Sequence, residues 1–334
     1  MRSPLRRGRS VRLRHVALAG ALVVATGNIA APPAAADPDA ALQQVVDRSV
    51  ADAAGEGITQ SISVVDRRTG ELVADRGGGR QYISESIVKL FTAAYYLVQA
   101  DGHPDGTMRQ TLTSMIENSD DDIESDLWNT DIVPSMAARY GLSDTANGPK
   151  TGPDEWGWEL ITADDETRFL AELTNDPVVA PVVLNAMAHS APTAADGTDQ
   201  SFGLNALTGD HGSKQGWTDA GAEWAEQAQI HSVGWTDRYF VAILETADDA
   251  TFDEMTAAST AAARAVLAVE IARPDSTATD TGGAESPSAA PMSSGASIGA
   301  PVPSDAAGDL ATALRHRLDA IVAGVTAGLD EWGR

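Results

Sequence analysis

Ser84-Glu85-Ser86-Ile87-Val88-Lys89-Leu90 is the stretch that decides how this chain folds and where its chemistry lies. From Ile87 to Ala100 the residues keep helical spacing without a glycine or proline, which predicts a helix opened by Ser86. Ser86 and Lys89 are three apart, so they share one helix face, one turn from each other. A helix start also offers unbonded backbone N–H groups and the positive end of the dipole. The chain has only three lysines, Lys89, Lys150 and Lys214, against twenty arginines. Arginine stays charged inside a protein, whereas a buried lysine can give up its proton, so a retained lysine suits proton transfer. A neutral Lys89 could take the proton of Ser86 as the hydroxyl attacks a carbonyl carbon. The bare pattern also fits an ordinary helix start with a surface lysine.

Working outward, Asp39 to Ala53 reads as a helix, and Gln60–Asp66 and Glu71–Asp75 as strands joined by a turn at Arg67–Gly70. Thr107 to Leu127 reads as one helix with a broken apolar stripe, and it carries Ser119-Asp120-Asp121. Asp144 to Trp158 is rich in Gly, Pro and Asp and should be loop. Thr162 caps a helix over Ala163–Leu173. Lys214-Gln215-Gly216 precedes a hairpin, Gln229–Trp235 with Tyr239–Thr246, and Thr251 starts a helix reaching about Ala272.

Ser86-x-x-Lys89, Ser119-Asp120-Asp121 and Lys214-Gln215-Gly216, in that order, resemble the motifs of the penicillin-recognising serine enzymes, the class A β-lactamases and D-alanyl-D-alanine peptidases. The flanks Ser84–Leu90, Met115–Asp121 and Ile161-Thr162-Ala163 are similar too, and the resemblance covers about Asp39 to Ala272. It implies an α+β fold: a five-stranded antiparallel sheet with helices on both faces, beside a helical subdomain. It implies Ser86 as nucleophile, Lys89 as its general base and Ser119 as a proton relay to the leaving group. Asp121, Lys214, Gln215 and Gly216 would contact substrate, with Lys214 fixing its carboxylate. The N–H groups of Ser86 and Trp217 would form the oxyanion hole.

Three departures bear on activity. Asp121 stands where the family has asparagine, and an ionised carboxylate cannot donate a hydrogen bond. Gln215 replaces a hydroxyl residue. The loop before Thr162 holds Glu155 and Glu159, both closer to Thr162 than the family's deacylating glutamate, and neither is assigned that role. Carboxylates near Ser119 also favour the charged form of a neighbouring lysine, which opposes a neutral Lys89. Lys150-Thr151-Gly152 spells the third motif literally, but in a Gly/Pro-rich loop rather than before the hairpin, so it reads as a decoy.

Composition sets the setting. Six arginines precede an apolar run, Val16–Ala25, and Ala34-Ala35-Ala36 follows, the layout of a secretory signal peptide over 1–36. Removing it takes six of the 23 basic residues and no acid, so the net charge moves from −25 to −31. Such a surface disfavours nucleic acid and anionic membranes. The absence of cysteine excludes disulfides, thiolate metal sites and a lipid-bearing cysteine after the signal. The histidines show no ligand spacing, and neither metal nor cofactor is expected. After the 37–272 domain, 273–308 reads as a flexible Pro/Ser/Ala/Gly linker and 309–334 as one amphipathic helix, a candidate for self-association over 309–332. Two functions follow. One is a secreted, extracytoplasmic serine hydrolase or acyltransferase acting on a peptide-like or lactam carbonyl. The other is a degenerate module that binds cell-wall peptide or a protein partner without turnover.

Overall fold

The computed structural model describes residues 38–218 and 227–273. The expected signal segment, the linker beyond Arg273 and the 309–334 helix lie outside the described residues.

The sheet follows from alternation. In β7 (Tyr239–Ala247), Tyr239, Val241 and Ile243 join one apolar cluster, while Phe240, Ala242 and Leu244 join another. Both faces are therefore buried, which makes the strand almost continuously apolar. β1 (Thr59–Asp66) pairs along one edge of β7 and β6 (Ala228–Trp235) along the other. β2 (Leu72–Arg76) and β5 (Gly212–Thr218) complete the order β2-β1-β7-β6-β5, antiparallel at every step. The expected α+β architecture with a five-stranded sheet is present.

One face is covered by α1 (Pro38–Gly55) and α8 (Phe252–Ala272), whose Leu42, Val46, Ala262 and Val266 meet Ile62, Val64 and Ile243. Thr251 and Glu254 cap α8 reciprocally, so the helix starts where the sequence places it. The other face meets α6 (Ala163–Thr174), capped by Thr162, whose Oγ1 accepts from the Asp165 N–H at 3.1 Å. Beyond it lies the helical part: α2 (Val88–Gln99), α3 (Gly106–Glu117), α4 (Asp121–Leu127), α5 (Ile132–Tyr140) and α7 (Ala180–Ala188). A two-stranded ribbon, β3 (Gln81–Ile83) with β4 (Leu160–Thr162), ties the segment before Ser86 to the end of the long loop.

α2 is the pivot. Val88, Leu90, Phe91 and Leu97 have no exposed surface, each contributing about 1.5–3 kcal/mol. A helix apolar all round is a buried one, so Lys89 is carried inside with it at 0% exposure.

The expected single helix 107–127 is two. α3 ends at Asn118, Ser119 turns to φ +52°, and Asp120 caps α4 by accepting from the Ile123 N–H at 3.1 Å. The Asp120 N–H returns to the Met115 carbonyl at 3.1 Å, the closing bond of a Schellman end. That end usually takes glycine. Serine gives no such warning in the sequence.

Candidate active site

Several segments meet at one cleft of about 710 Å³, among them the following four. A 3₁₀ turn, Glu85–Ile87, leads into α2 and sets Ser86 on the cleft wall, 7% exposed. The α3–α4 break brings Ser119 and Asp121. β5 lines it with Trp217 and Thr218 and carries the buried Lys214. The loop between α5 and β4 brings Glu155 to Trp158.

Lys89 Nζ donates to Ser86 Oγ at 2.7 Å, to the Ser119 carbonyl at 3.1 Å and to Asp121 Oδ1 at 2.5 Å. Three acceptors use all three ammonium protons. The Trp156 ring covers it, with Nζ 4.6 Å from the centroid. Asp121 is half exposed and lines the cleft. Lys214, also 0% exposed, donates to Ser119 Oγ at 2.7 Å and to the Gln215 carbonyl at 2.6 Å. Burial pushes Lys214 well below the ordinary lysine range, and the nearby charge of Lys89 adds to that. Ser119 thus links the two lysines, its carbonyl to one and its hydroxyl to the other.

β5 is an outer strand, bonded to β6 on one edge with its other side against the turn of Ser86. Glycine at 216 eases that approach: a Cβ there would be a tight 3.2 Å from Glu85 Cβ and from the Ser84 carbonyl oxygen. Trp217, next along, lines the cleft beside Ser86. Gln215 points elsewhere. Its Nε2 donates to Ser213 Oγ at 2.8 Å, and the side chain is fully buried and off the cleft wall.

Among the loop glutamates, Glu159 is engaged. Its Oε1 accepts from Thr151 Oγ1 at 3.0 Å, and its Oε2 accepts from Ser84 Oγ at 3.1 Å and the Gly157 N–H at 2.8 Å. Burial still raises its carboxyl. Glu155 is exposed and lines the cleft. Lys150 lies apart, its Nζ 4.2 Å from the Trp158 ring centroid beside a separate 200 Å³ cavity.

Several residues near the site escaped sequence reasoning. Glu85, beside the nucleophile, is 6% exposed and lines the cleft; burial pushes its carboxyl well up, Lys89 opposing. Its φ of +46° and the +52° of Ser119 are two of three positive values at non-glycine residues among the described residues. Such strain concentrates at functional sites. Glu124, fully buried on α4, accepts from Thr92 Oγ1 at 2.7 Å and is raised to about 7, chiefly by burial. Glu85 stood inside the quoted motif, but an acid at a helix start reads as dipole stabilisation; only the packed strand reveals its burial. His231 is fully buried, donates Nε2–H to the Ile83 carbonyl at 2.8 Å, and is lowered to about 4 by burial.

No family model matches the chain. A Mycobacterium tuberculosis protein described as "Putative lipoprotein LppW" is 33% identical over 226 residues, 62% of this chain and 69% of that protein. A D-alanyl-D-alanine carboxypeptidase of Actinomadura sp. strain R39 is 37% identical over 105 residues, 30% of this chain and 20% of that enzyme. A class A β-lactamase structure from Bacteroides cellulosilyticus aligns with a TM-score of 0.55 at 13% identity, covering 70% of this chain and 99% of that one. The class A β-lactamase of Mycobacterium abscessus gives 0.52 at 13%, covering 68% and 99%. At these identities the structural likeness is one of fold.

Proposed function

We propose that the chain is a divergent penicillin-recognising serine enzyme, an extracytoplasmic serine hydrolase or acyltransferase that forms an acyl-enzyme at Ser86; the fold and the carboxypeptidase likeness support this. The observation that carries this is the 2.7 Å contact of Lys89 Nζ with Ser86 Oγ on a cleft wall. In this reading Ser86 Oγ attacks the carbonyl carbon of a lactam or peptide-like substrate. Lys89 accepts the hydroxyl proton once it has released one of its own, and Asp121 offers an acceptor open to the cleft. Ser119, held by Lys214, passes the proton to the leaving group. Backbone N–H groups of Ser86 and Trp217 hold the oxyanion. Lys214 is fully buried and off the cleft wall, so in this reading it acts on substrate through Ser119, which it holds.

The name of the mycobacterial relative supports an extracytoplasmic place for this chain too, reached through the signal peptide read over 1–36. A cell-wall peptide or β-lactam is the substrate class this reading favours.

The test is intact mass after exposure to a fluorescent penicillin. The wild type gains one adduct, and Ser86→Ala gains none. An adduct that survives in Ser86→Ala sinks the assignment. A second reading, binding without turnover, is favoured by one observation: Asp121 within 2.5 Å of Lys89 keeps a carboxylate against the ammonium. Saturable binding of a cell-wall peptide with no adduct in the wild type would select it.

A further inference from the structure

We propose that Glu85 is the general base of deacylation, activating the water that releases the acyl group from Ser86; this rests on the acyl-enzyme reading above. The first ground is position. Glu85 precedes Ser86, and both line the same cleft. Its backbone N–H is held by the Gly157 carbonyl at 3.0 Å. Its Cβ abuts β5 at Gly216, and its Oε2 lies 4.0 Å from where a Cβ on Gly157 would be. The side chain is therefore wedged between β5 and the loop, one residue before the nucleophile and on the same cleft.

The second ground is what the carboxyl lacks. Oε1 is buried and has no hydrogen-bond partner among the described residues. Leaving a buried polar atom unpaired is costly, and the left-handed backbone, φ +46°, adds strain. A glutamate kept at such a position calls for a function. The third ground is the loop. Glu159 has both oxygens engaged and lies off the cleft wall, which leaves Glu155 as the competitor.

The charged groups facing Glu85 are Lys89 on α2, Asp121 on α4 and Glu159 in the loop. Burial raises its carboxyl well above the ordinary glutamate range, with Lys89 opposing the rise. In the step, the Glu85 carboxylate takes one proton as the water oxygen bonds to the ester carbonyl carbon. The tetrahedral intermediate collapses, the bond from carbon to Ser86 Oγ breaks, and Glu85 returns the proton to Oγ. One water is consumed, a carboxylic acid leaves, and both residues regain their starting forms.

The experiment is pulse-chase intact mass with fluorescent penicillin from pH 5 to 9. Glu85→Gln is expected to clear its adduct about 100-fold more slowly, within the range for loss of a general base, while adduct formation falls far less. The rise of wild-type clearance with pH should vanish in Glu85→Gln, and formate should restore clearance to Glu85→Ala. Should Glu85→Gln fail to fold by circular dichroism, Glu85→Asp is expected to clear slowly with the pH rise retained. Clearance at the wild-type rate in these variants overturns the proposal, as does slowing by Glu155→Gln instead. No adduct in the wild type overturns the acylation reading, and this one with it.

Discussion

Lys89 and Lys214 are both sealed from solvent, and the protein treats them differently. Lys89, on a helix, has a carboxylate at 2.5 Å, a hydroxyl and a carbonyl. Lys214, on an outer strand, has only neutral acceptors, a hydroxyl and a carbonyl, and burial drives it well below the usual range. A buried ammonium is tolerated where an opposite charge meets it and is driven toward neutrality where none does. The Asp121 carboxylate therefore falls on the lysine whose neutral form the proposed reaction needs. The contrast pairs Lys89 with a carboxylate and makes Lys214 a hydrogen-bonded anchor of Ser119.

The largest effect that would break this contrast is loss of the anchor. Lys214→Ala is expected to slow acylation by carboxylate-bearing substrates 10–1000-fold, about 1.4–4 kcal/mol of barrier, through loss of the bond that holds Ser119 Oγ. Lys150→Ala should leave the rate near wild type, because that residue lines another cavity. Stopped-flow fluorescence measures both. A reversed pattern would move the third motif to the 150–152 loop.

The next effect sharpens the contrast at the other lysine. Asp121→Asn removes the carboxylate and restores an amide. If the charge holds Lys89 in its ammonium form, acylation at neutral pH should rise about ten-fold, or ~1.4 kcal/mol of barrier. A fall instead would mean Asp121 accepts the proton that Lys89 must shed.

These residues also mark how far the sequence could be read. Ser86 and Lys89 are legible because three-residue spacing on a helix is a local property. The β6–β7 hairpin and the caps at Thr162 and Thr251 are local as well. β5 is reachable only through its motif, since Lys214-Gln215-Gly216 has no apolar alternation. α7 hides behind Pro181 and two valines, and β3 and β4 are three residues each, too short to show a period. The break at Ser119 is a local helix end that serine does not announce, whereas the burial of Glu85 and Glu124 comes from contacts distant in sequence, such as Thr92 with Glu124. The same holds for Asp121: the sequence shows a changed motif, but only packing shows that the change faces Lys89.

The smallest effect tests the charge between the two lysines. Glu124 feels the charge of Lys89, and its own charge acts on Lys214. Its Oε2 is buried without a partner among the described residues, and burial raises its carboxyl from 4.5 to about 7. A carboxyl raised on folding binds more protons in the native state, so its stabilising share is full below about 4.5 and is lost as pH rises through about 7. The difference corresponds to roughly 3 kcal/mol. Glu85, Glu166 and Glu245 are raised by burial in the same direction, and His231, lowered to about 4, acts oppositely below 6.5. Comparing Glu124→Gln with wild type cancels those shared terms. The amide mimics the protonated acid, so the two melting temperatures should nearly coincide at pH 5. By pH 8 the variant should melt higher by on the order of 5–10 °C, at a few degrees per kcal/mol. A difference that stays constant across that range would place Glu124 in its charged form throughout. It would then be a counter-ion to Lys89, and the carboxylate of Asp121 would no longer be the feature that separates the two lysines.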